Sequence, residues 1–167
     1  FKLSFVIPCY GSEKTIEHVI DEIIETVSQI DFDYEIITVN DCSPDNVLSV
    51  LKNMAEKNKN IKVIDLAKNM GKHSAMMAAF RYSSGDYIVY LDDDGQCPVP
   101  ELPKLITAVN NGFDVAVAQY GRKKQSLFKN IGSTVNNLMA SYLLKKPTTL
   151  KMSNFGVIKK FIVDEII

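Results

Sequence analysis

The chain has 167 residues, of which 46% are hydrophobic and 23% charged, with 19 lysines and arginines against 20 aspartates and glutamates. This composition is typical of a folded globular protein and excludes a disordered chain. The formal net charge of -1 excludes the overall basic surplus of most nucleic-acid-binding proteins, so we expect no nucleic-acid partner.

The predicted elements alternate between short apolar, β-branched runs and segments of helical period. Strands are predicted over residues 3–7, 34–39, 61–66, 87–91 and 114–118. The first helix has an apolar stripe and Ser12 as its predicted N-cap. Ser43 is predicted to cap the second helix, and Gly85 to end the third. A basic stretch at 122–124 precedes a last helix with an apolar stripe at Leu127, Ile131, Val135, Leu138 and Tyr142. The alternation predicts an α/β fold, with a mostly parallel sheet and helices on both faces.

The ends of the chain and its cysteines bear on where the protein works. No apolar run reaches the ~18 residues that span a bilayer, and the N-terminus lacks the pattern of a signal peptide, which together predict a cytoplasmic location. Cys9, Cys42 and Cys97 are too far apart to indicate a disulfide framework or a zinc site. Because the chain starts at Phe1 and stops in a helical pattern, we expect residues 1–167 to be a single domain of a longer protein, truncated at its C-terminus.

Polar residues at the predicted strand ends are the candidate site, because ligands of open parallel sheets bind beyond the carboxyl ends of the strands. Asp92, Asp93 and Asp94 leave the fourth strand together, and such crowded carboxylates favour a hard divalent cation, Mg²⁺ or Mn²⁺. Strand alternation predicts that Asp92 and Asp94 converge, that Gln96 continues their side, and that Asp93 points elsewhere. The alternative is an acidic turn that caps the next helix.

Two further positions have both a functional and a local interpretation. A carboxylate at Asp41 can accept hydrogen bonds from a base or ribose, or it can form an Asx-turn. Lys72, beside Gly71 and at a helix start, can contact a diphosphate or can be an ordinary solvated lysine. His18 and His73 are assigned no catalytic role. The chain has no GxxxxGK[ST], GxGxxG or GxSxG motif, which argues against the corresponding nucleotide-binding and hydrolase classes.

Four strings together resemble one family: SFVIPCY from Ser4, VNDCS from Val39, NMGKHSA from Asn69 and DDDGQ from Asp92. They are similar to the inverting glycosyltransferases of family 2, which have the GT-A fold, a Rossmann-like sheet that binds a nucleotide-sugar. The pattern most resembles the subgroup that acts on polyprenyl phosphates such as undecaprenyl and dolichyl phosphate. Gly95, Cys97 and Gly156 depart from the usual pattern, the last where many relatives carry a basic residue.

The resemblance implies a role for each candidate residue. Asp92, Asp94 and Lys72 are the expected catalytic residues, and the expected metal ligands are Asp92, Asp94 and Gln96. The expected substrate-binding residues are Pro8, Tyr10, Glu13, Asp41, Lys72, Asp93, Gln96, Arg122, Lys129 and Ser133, with Ser126 beside the last two. Of these, Lys129 and Ser133 belong to the part that lies near the acceptor phosphate in the lipid-phosphate subgroup.

The predicted activity is metal-dependent, inverting transfer of a hexosyl group from a UDP-linked donor to a polyprenyl phosphate at the cytosolic face of a membrane. An anionic acceptor fits the absence of an evident general base. A saccharide acceptor in cell-surface polysaccharide synthesis is the first alternative, with its base beyond residue 167. A sugar-nucleotide-binding module without turnover is the second. A membrane surface is an expected partner through the missing C-terminal part, and the sequence predicts no oligomeric state.

Overall fold

A six-stranded sheet in the order β3-β2-β1-β4-β6-β5 forms the centre of the computed structural model, which describes residues 1–30, 32–119 and 153–167. All of its elements belong to the unit made by Phe1–Ala118 and Asn154–Ile167. The strands are β1 (Lys2–Cys9), β2 (Asp33–Asn40), β3 (Ile61–Asp65), β4 (Tyr87–Tyr90), β5 (Val115–Val117) and β6 (Gly156–Lys159). The helices are α1 (Ile16–Ser28), α2 (Val47–Lys57), α3 (Lys72–Tyr82), α4 (Leu102–Asn110) and α5 (Lys160–Asp164), with a 3₁₀ turn at Val99–Glu101.

The strand pairing confirms a mostly parallel α/β sheet. β1 pairs in parallel with β2 and β4, and β2 with β3, whereas β6 is antiparallel to both β4 and β5. β6 was not predicted from the sequence, because it is only four residues long and lacks a clear alternation. The long helix predicted around Leu127–Tyr142 in the sequence lies outside the described residues.

Helices cover both faces of the sheet. The chain moves from β1 through β2 to β3 and then returns to the other side of β1, so right-handed crossovers put α1 and α2 on one face and α3 on the other. Ala75, Ala79 and Phe80 of α3 pack on Val6 and Ile37 of the sheet. This continuous core holds the strand ends rigidly. Within the described ranges, no helix combines the length and the apolar character needed to cross a bilayer.

Pro8 shows why a gap opens between β1 and β4. The carbonyl of Val6 accepts the amide of Leu91 at 3.3 Å, so residues of even number on β1 direct their backbone groups toward β4. β4 ends at Tyr90, level with Val6, so Pro8 lies where no strand needs its missing N–H. The chain of β1 therefore continues beyond its neighbour and leaves space at its carboxyl end.

Both serines predicted as N-caps have other roles. α1 begins after Thr15, and it is the backbone carbonyl of Ser12 that accepts the amides of Thr15 and Ile16 at 3.0 Å. α2 begins after Asn46, because the Ser43 hydroxyl is engaged elsewhere: it donates to Asp45 and accepts from the backbone of Gly11. Neither N-cap residue, Thr15 or Asn46, makes a side-chain cap hydrogen bond.

Gly85 also differs from its predicted role, since α3 ends at Tyr82 and its C-cap residue, Ser83, is extended. Glycine is required at position 85 because the backbone there lies very close to β1. An added Cβ would lie 2.7 Å from the carbonyl oxygen of Lys2 and 2.8 Å from the amide nitrogen of Ser4. Any side chain at this position would push the start of β4 away from β1.

A buried carboxylate, Glu35, fixes the same end of the sheet. It is 2% exposed and accepts hydrogen bonds from Ser4 at 2.6 Å, from the Ser84 amide at 2.7 Å and from Lys62 at 2.7 Å. Burial raises the pKa of Glu35, but the hydrogen bonds from Lys62, Ser4 and Ser84 outweigh burial and lower that pKa to about 2. The ionised carboxylate therefore joins three strands and the loop that enters β4.

Replacement of Glu35 by Gln should flatten the dependence of stability on pH. A pKa lowered from 4.5 to about 2 corresponds to ~3 kcal/mol, present above pH 4.5 and lost as the pH falls toward 2. Urea denaturation from pH 7 to pH 2.5 measures the free energy of unfolding. Glu25→Gln, at an exposed position of α1, is the matched control and should keep the wild-type slope. Equal slopes for Glu35→Gln and wild type would contradict the prediction.

Candidate functional site

A pocket of about 260 Å³ lies at the carboxyl ends of β1, β2 and β4. This is the point where the order of strands reverses around β1, the usual ligand position in an open α/β sheet. Predicted and unpredicted residues share its lining, which consists of Pro8, Cys9, Tyr10, Asp41, Asn69, Gly71, Lys72, Asp92 and Asp93. The sheet topology thus brings together groups that are more than 80 residues apart in the chain.

Asp41 holds the loop that enters α3. It is 3% exposed, and its two carboxylate oxygens accept the amides of Met70 at 2.7 Å and Gly71 at 2.8 Å. Gly71 has a φ of +83°, a conformation that strongly favours glycine and turns the chain into the helix. Asp41 is therefore both a wall of the pocket and the residue that shapes the opposite wall, where the Asn69 side chain also accepts the Gly71 amide.

Asp92 stands between two donors from different elements. Its Oδ1 accepts from the ammonium group of Lys72, and its Oδ2 accepts from Nδ2 of Asn154 at 2.6 Å. Lys72 is the first residue of α3, so its charge and the helix N-terminus lie on the same side of the pocket. The lysine predicted to contact a diphosphate is thus paired with a carboxylate in this structure.

The two aspartates that follow are held in different ways. Asp93 accepts the Tyr10 amide at 2.9 Å through its carboxylate, and its backbone carbonyl accepts the Thr15 hydroxyl. Burial raises the pKa of Asp93, aided by the nearby charge of Asp92 and opposed by Ser12 and the Tyr10 amide. Asp94 accepts the Gln96 amide at 3.0 Å in a turn around Gly95, outside the pocket lining. Strand alternation does not apply here, because β4 ends at Tyr90.

The described ranges contain no group of three or more His, Cys, Asp or Glu side chains with a geometry able to hold a metal ion. Oxygen donors nevertheless cluster at this edge. Asp92 and Asp93 line the pocket, and the turn after them carries Asp94 and Gln96. Carboxylate and amide oxygens are the donors that Mg²⁺ and Mn²⁺ prefer, so the donor chemistry suits a hard cation shared with an anionic ligand.

Glu13, predicted to bind substrate, lies in the network that joins the first two loops. Its carboxylate accepts the backbone amide of Asn46 at 3.2 Å, and its own amide donates to Asp45 at 2.9 Å. Burial raises the pKa of Asp45, but hydrogen bonds from Ser43 and the amides of Glu13 and Val47 lower it below its usual value. Glu13 therefore supports the rim, since it is absent from the pocket lining.

Cys9 lines the pocket with a buried thiol. Burial, together with the nearby Asp93 carboxylate, raises the pKa of its thiol well above the usual value of 9.0. A protonated thiol is a poor nucleophile, so the surroundings of Cys9 do not favour thiolate catalysis.

Sequence reasoning found part of the site and missed another part. Pro8, Tyr10, Asp41, Lys72, Asp92 and Asp93 were predicted and line the pocket. Asn69 and Gly71 could have been found from their place between a strand and a helix, whereas Asn154 is visible only through the pairing of β6 with β4. Arg122, Ser126, Lys129 and Ser133 lie outside the described residues.

Comparison with known proteins yields one family and several relatives. The model of "Glycosyl transferase family 2" matches residues 4–167. The undecaprenyl-phosphate 4-deoxy-4-formamido-L-arabinose transferase of Proteus mirabilis is 33% identical over 156 residues, covering 93% of this chain and 47% of that protein. The chain thus spans about half the length of the curated relatives it matches.

Solved structures with the same fold have lower sequence identity. A mannosyltransferase from Pyrobaculum calidifontis, solved with GDP-Man and Mn²⁺, gives a TM-score of 0.70 at 18% identity, covering 98% of this chain and 46% of that one. Glucosyl-3-phosphoglycerate synthase from Mycobacterium tuberculosis, solved with UDP, gives a TM-score of 0.69 at 20% identity, covering 96% of this chain and 57% of that one. At these identities the likeness concerns the fold alone.

Replacement of Asp41 by Asn should loosen the loop before α3. An amide has one acceptor oxygen, so it cannot serve both backbone amides in their present geometry, and the loss of a hydrogen bond to a charged acceptor costs ~1.5–3 kcal/mol. Chemical denaturation gives the loss of stability, and hydrogen exchange should show faster exchange at Met70 and Gly71. Asp21→Asn, at an exposed position on α1, is the control. Unchanged exchange in Asp41→Asn would refute the role assigned to this carboxylate.

Proposed function

The chain belongs to glycosyltransferase family 2, and from this premise we propose that it binds a nucleoside-diphosphate sugar and transfers the sugar to an acceptor. The observation that carries the proposal is the pairing of Lys72 with Asp92 in a pocket at the reversal point of the sheet. A cation and a carboxylate at one place suit a ligand that brings both anionic oxygens and a metal ion. Residues 1–167 would act as a single domain of a longer protein.

The donor would lie across the ends of β1, β2 and β4. Pro8 and Tyr10 offer an apolar and aromatic surface at the end of β1, and Tyr10 is 54% exposed, so its ring is available to a base. Asp41 would face the ribose or base, since each carboxylate oxygen has a second lone pair beyond the one used by the loop. We propose UDP as the nucleotide.

A divalent cation would be held by Asp92, Asp94 and Gln96, with Asp93 in a supporting place. Asp93 would support these ligands from the pocket wall, because its carboxylate accepts the Tyr10 amide and holds the end of β1. Asp94 and Gln96 share one turn directly after Asp92. When bound, the ion would neutralise charge on the diphosphate.

The chain's own residues would stabilise the leaving group and orient the donor. Lys72 can exchange Asp92 for a phosphate oxygen, because its side chain is 43% exposed and reaches the pocket from the start of α3. The free amides of that helix end add positive potential at the same place. The acceptor oxygen would then attack the anomeric carbon from the face opposite the diphosphate, which inverts the configuration as the carbon–oxygen bond to the diphosphate breaks.

A polyprenyl phosphate is the proposed acceptor. The relative from Proteus mirabilis is named for undecaprenyl phosphate, and the part of this chain matched to it includes the basic stretch from Arg122 to Lys129. No histidine lines the described pocket, and a phosphate acceptor is already anionic, so it needs no strong base. Transfer would take place at the cytosolic face of a membrane, with Ser126 and Ser133 beside the acceptor phosphate. The alternatives are a saccharide acceptor and binding of the nucleotide without transfer, and the experiments with UDP and with the two acceptors distinguish them.

Nucleoside diphosphate binding should depend on a divalent cation, because the aspartates would otherwise repel the diphosphate. Calorimetric titration with UDP in Mn²⁺ and in EDTA measures the difference. Asp94→Asn should lose most of the metal-dependent affinity and keep its circular dichroism spectrum, whereas Asp21→Asn on α1 should bind like wild type. The metal assignment fails if wild-type affinity is equal in Mn²⁺ and in EDTA.

Lys129→Ala should raise the acceptor KM and leave donor binding unchanged, because a charge-assisted contact to phosphate is stronger than a neutral hydrogen bond. Lys59→Ala, at an exposed position after α2, is the matched control. The intact protein is offered polyprenyl phosphate and a soluble oligosaccharide side by side. Transfer only to the saccharide would refute the lipid acceptor, and binding of UDP without transfer to either would support a module without turnover.

A further inference from the structure

Asp92 lies beyond the sheet that would otherwise fix it. β4 ends at Tyr90, and the carboxylate of Asp92 is 15% exposed at the edge of the pocket. Its position therefore depends on its two side-chain partners, Lys72 on Oδ1 and Asn154 on Oδ2. These partners differ in what they can do when a ligand arrives.

The ends of β4 and β6 bring Asn154 close to Asp92. In the antiparallel pair of these strands, Tyr90 lies opposite Gly156. Asp92 comes two residues after Tyr90 and Asn154 two residues before Gly156, so both side chains leave the same end of the pair. Nδ2 of Asn154 and Oδ2 of Asp92 are 2.6 Å apart. The contact thus lies just beyond the last paired residues of the two strands.

The backbone at Asn154 is firmly held. The next residue, Phe155, is fully buried, and its carbonyl accepts the amide of Ala118 at 3.0 Å. At Gly156 an added Cβ would lie 2.5 Å from the Tyr90 hydroxyl oxygen and 2.8 Å from the carbonyl of Ala116, so the strand packs closely on its neighbours. The thiol of Cys97 lies 3.9 Å from the Asn154 carbonyl. Asn154 is thereby a short side chain on a rigid support.

Lys72 offers no comparable support. Its side chain is long and 43% exposed, and it carries the charge that an arriving diphosphate attracts. If Lys72 moves to a phosphate oxygen, Asn154 is the donor that remains on Asp92. An amide is neutral, so Asn154 does not compete with the carboxylate for the diphosphate.

We propose that Asn154 is a positioning residue: it holds Asp92 in place while Lys72 exchanges Asp92 for the diphosphate of the donor. This role rests on the proposed function, and it assigns to the segment before β6 a part in donor binding through Asp92. Asn154 itself touches neither metal nor sugar.

Calorimetric titration of the intact protein with UDP tests this role, in Mn²⁺ and in EDTA, for wild type and Asn154→Ala. Loss of a hydrogen bond to a charged acceptor should weaken UDP binding in Mn²⁺ by about tenfold or more. Affinity in EDTA should be unchanged, and so should the thermal midpoint without nucleotide, because Asn154 is exposed and outside the core. Asn110→Ala, which removes an asparagine that accepts from Tyr87 away from the pocket, is the control and should bind like wild type.

The outcomes distinguish failure of the positioning role of Asn154 from failure of the proposed donor site. A loss confined to Mn²⁺ supports the positioning role. Wild-type affinity of Asn154→Ala in Mn²⁺, or a fall in its thermal midpoint matched by equal losses in Mn²⁺ and EDTA, overturns it. If the wild-type protein itself binds no UDP or GDP in Mn²⁺, the donor site of the proposed function fails, and this role fails with it.

Discussion

The carboxylate of Asp92 is the point at which the parts of the pocket meet. It lies two residues after β4, while its partners come from the start of α3 and from the segment before β6. Each partner reaches it only because β4 lies between β1 and β6 in the sheet. An acidic group at this edge would repel an anionic ligand if it were alone. Paired with Lys72, it instead keeps a positive charge near the place where phosphates are expected.

The loops of the site are stabilised mainly by carboxylates that bind backbone amides. Asp41 holds the loop before α3, Asp93 holds the end of β1, and Asp45 holds the first loop through Glu13. Such hydrogen bonds fix the main chain without filling the pocket with side chains. Acidic residues of this sequence therefore build the walls of the pocket.

The sequence was sufficient for the architecture because strands and helices in this fold alternate with clear periods. Five strands and the residues at their carboxyl ends follow from apolar runs alone. Asp41 and Asp92 are predicted from these strand ends, and Lys72 from its place at the start of a helix. Roles that depend on distant contacts could not be predicted. Ser43 looks like a helix cap, yet its hydroxyl binds Asp45 and Gly11, and Gly85 looks like a helix stop, yet it packs on Lys2. Strand alternation misled the interpretation of Asp93, because β4 ends at Tyr90, three residues before this aspartate.

The buried Glu35 cluster and the pocket lie at opposite ends of the same strands. On β1, Cys9 in the pocket lining comes five positions after Ser4, which donates to Glu35, a distance of roughly 16 Å along the strand. Changes that lose affinity at the pocket therefore need not weaken the joint at Ser4 and Glu35. For laboratory evolution, this separation means that the exposed pocket residue Tyr10 can be varied while the opposite end of the sheet keeps the chain folded.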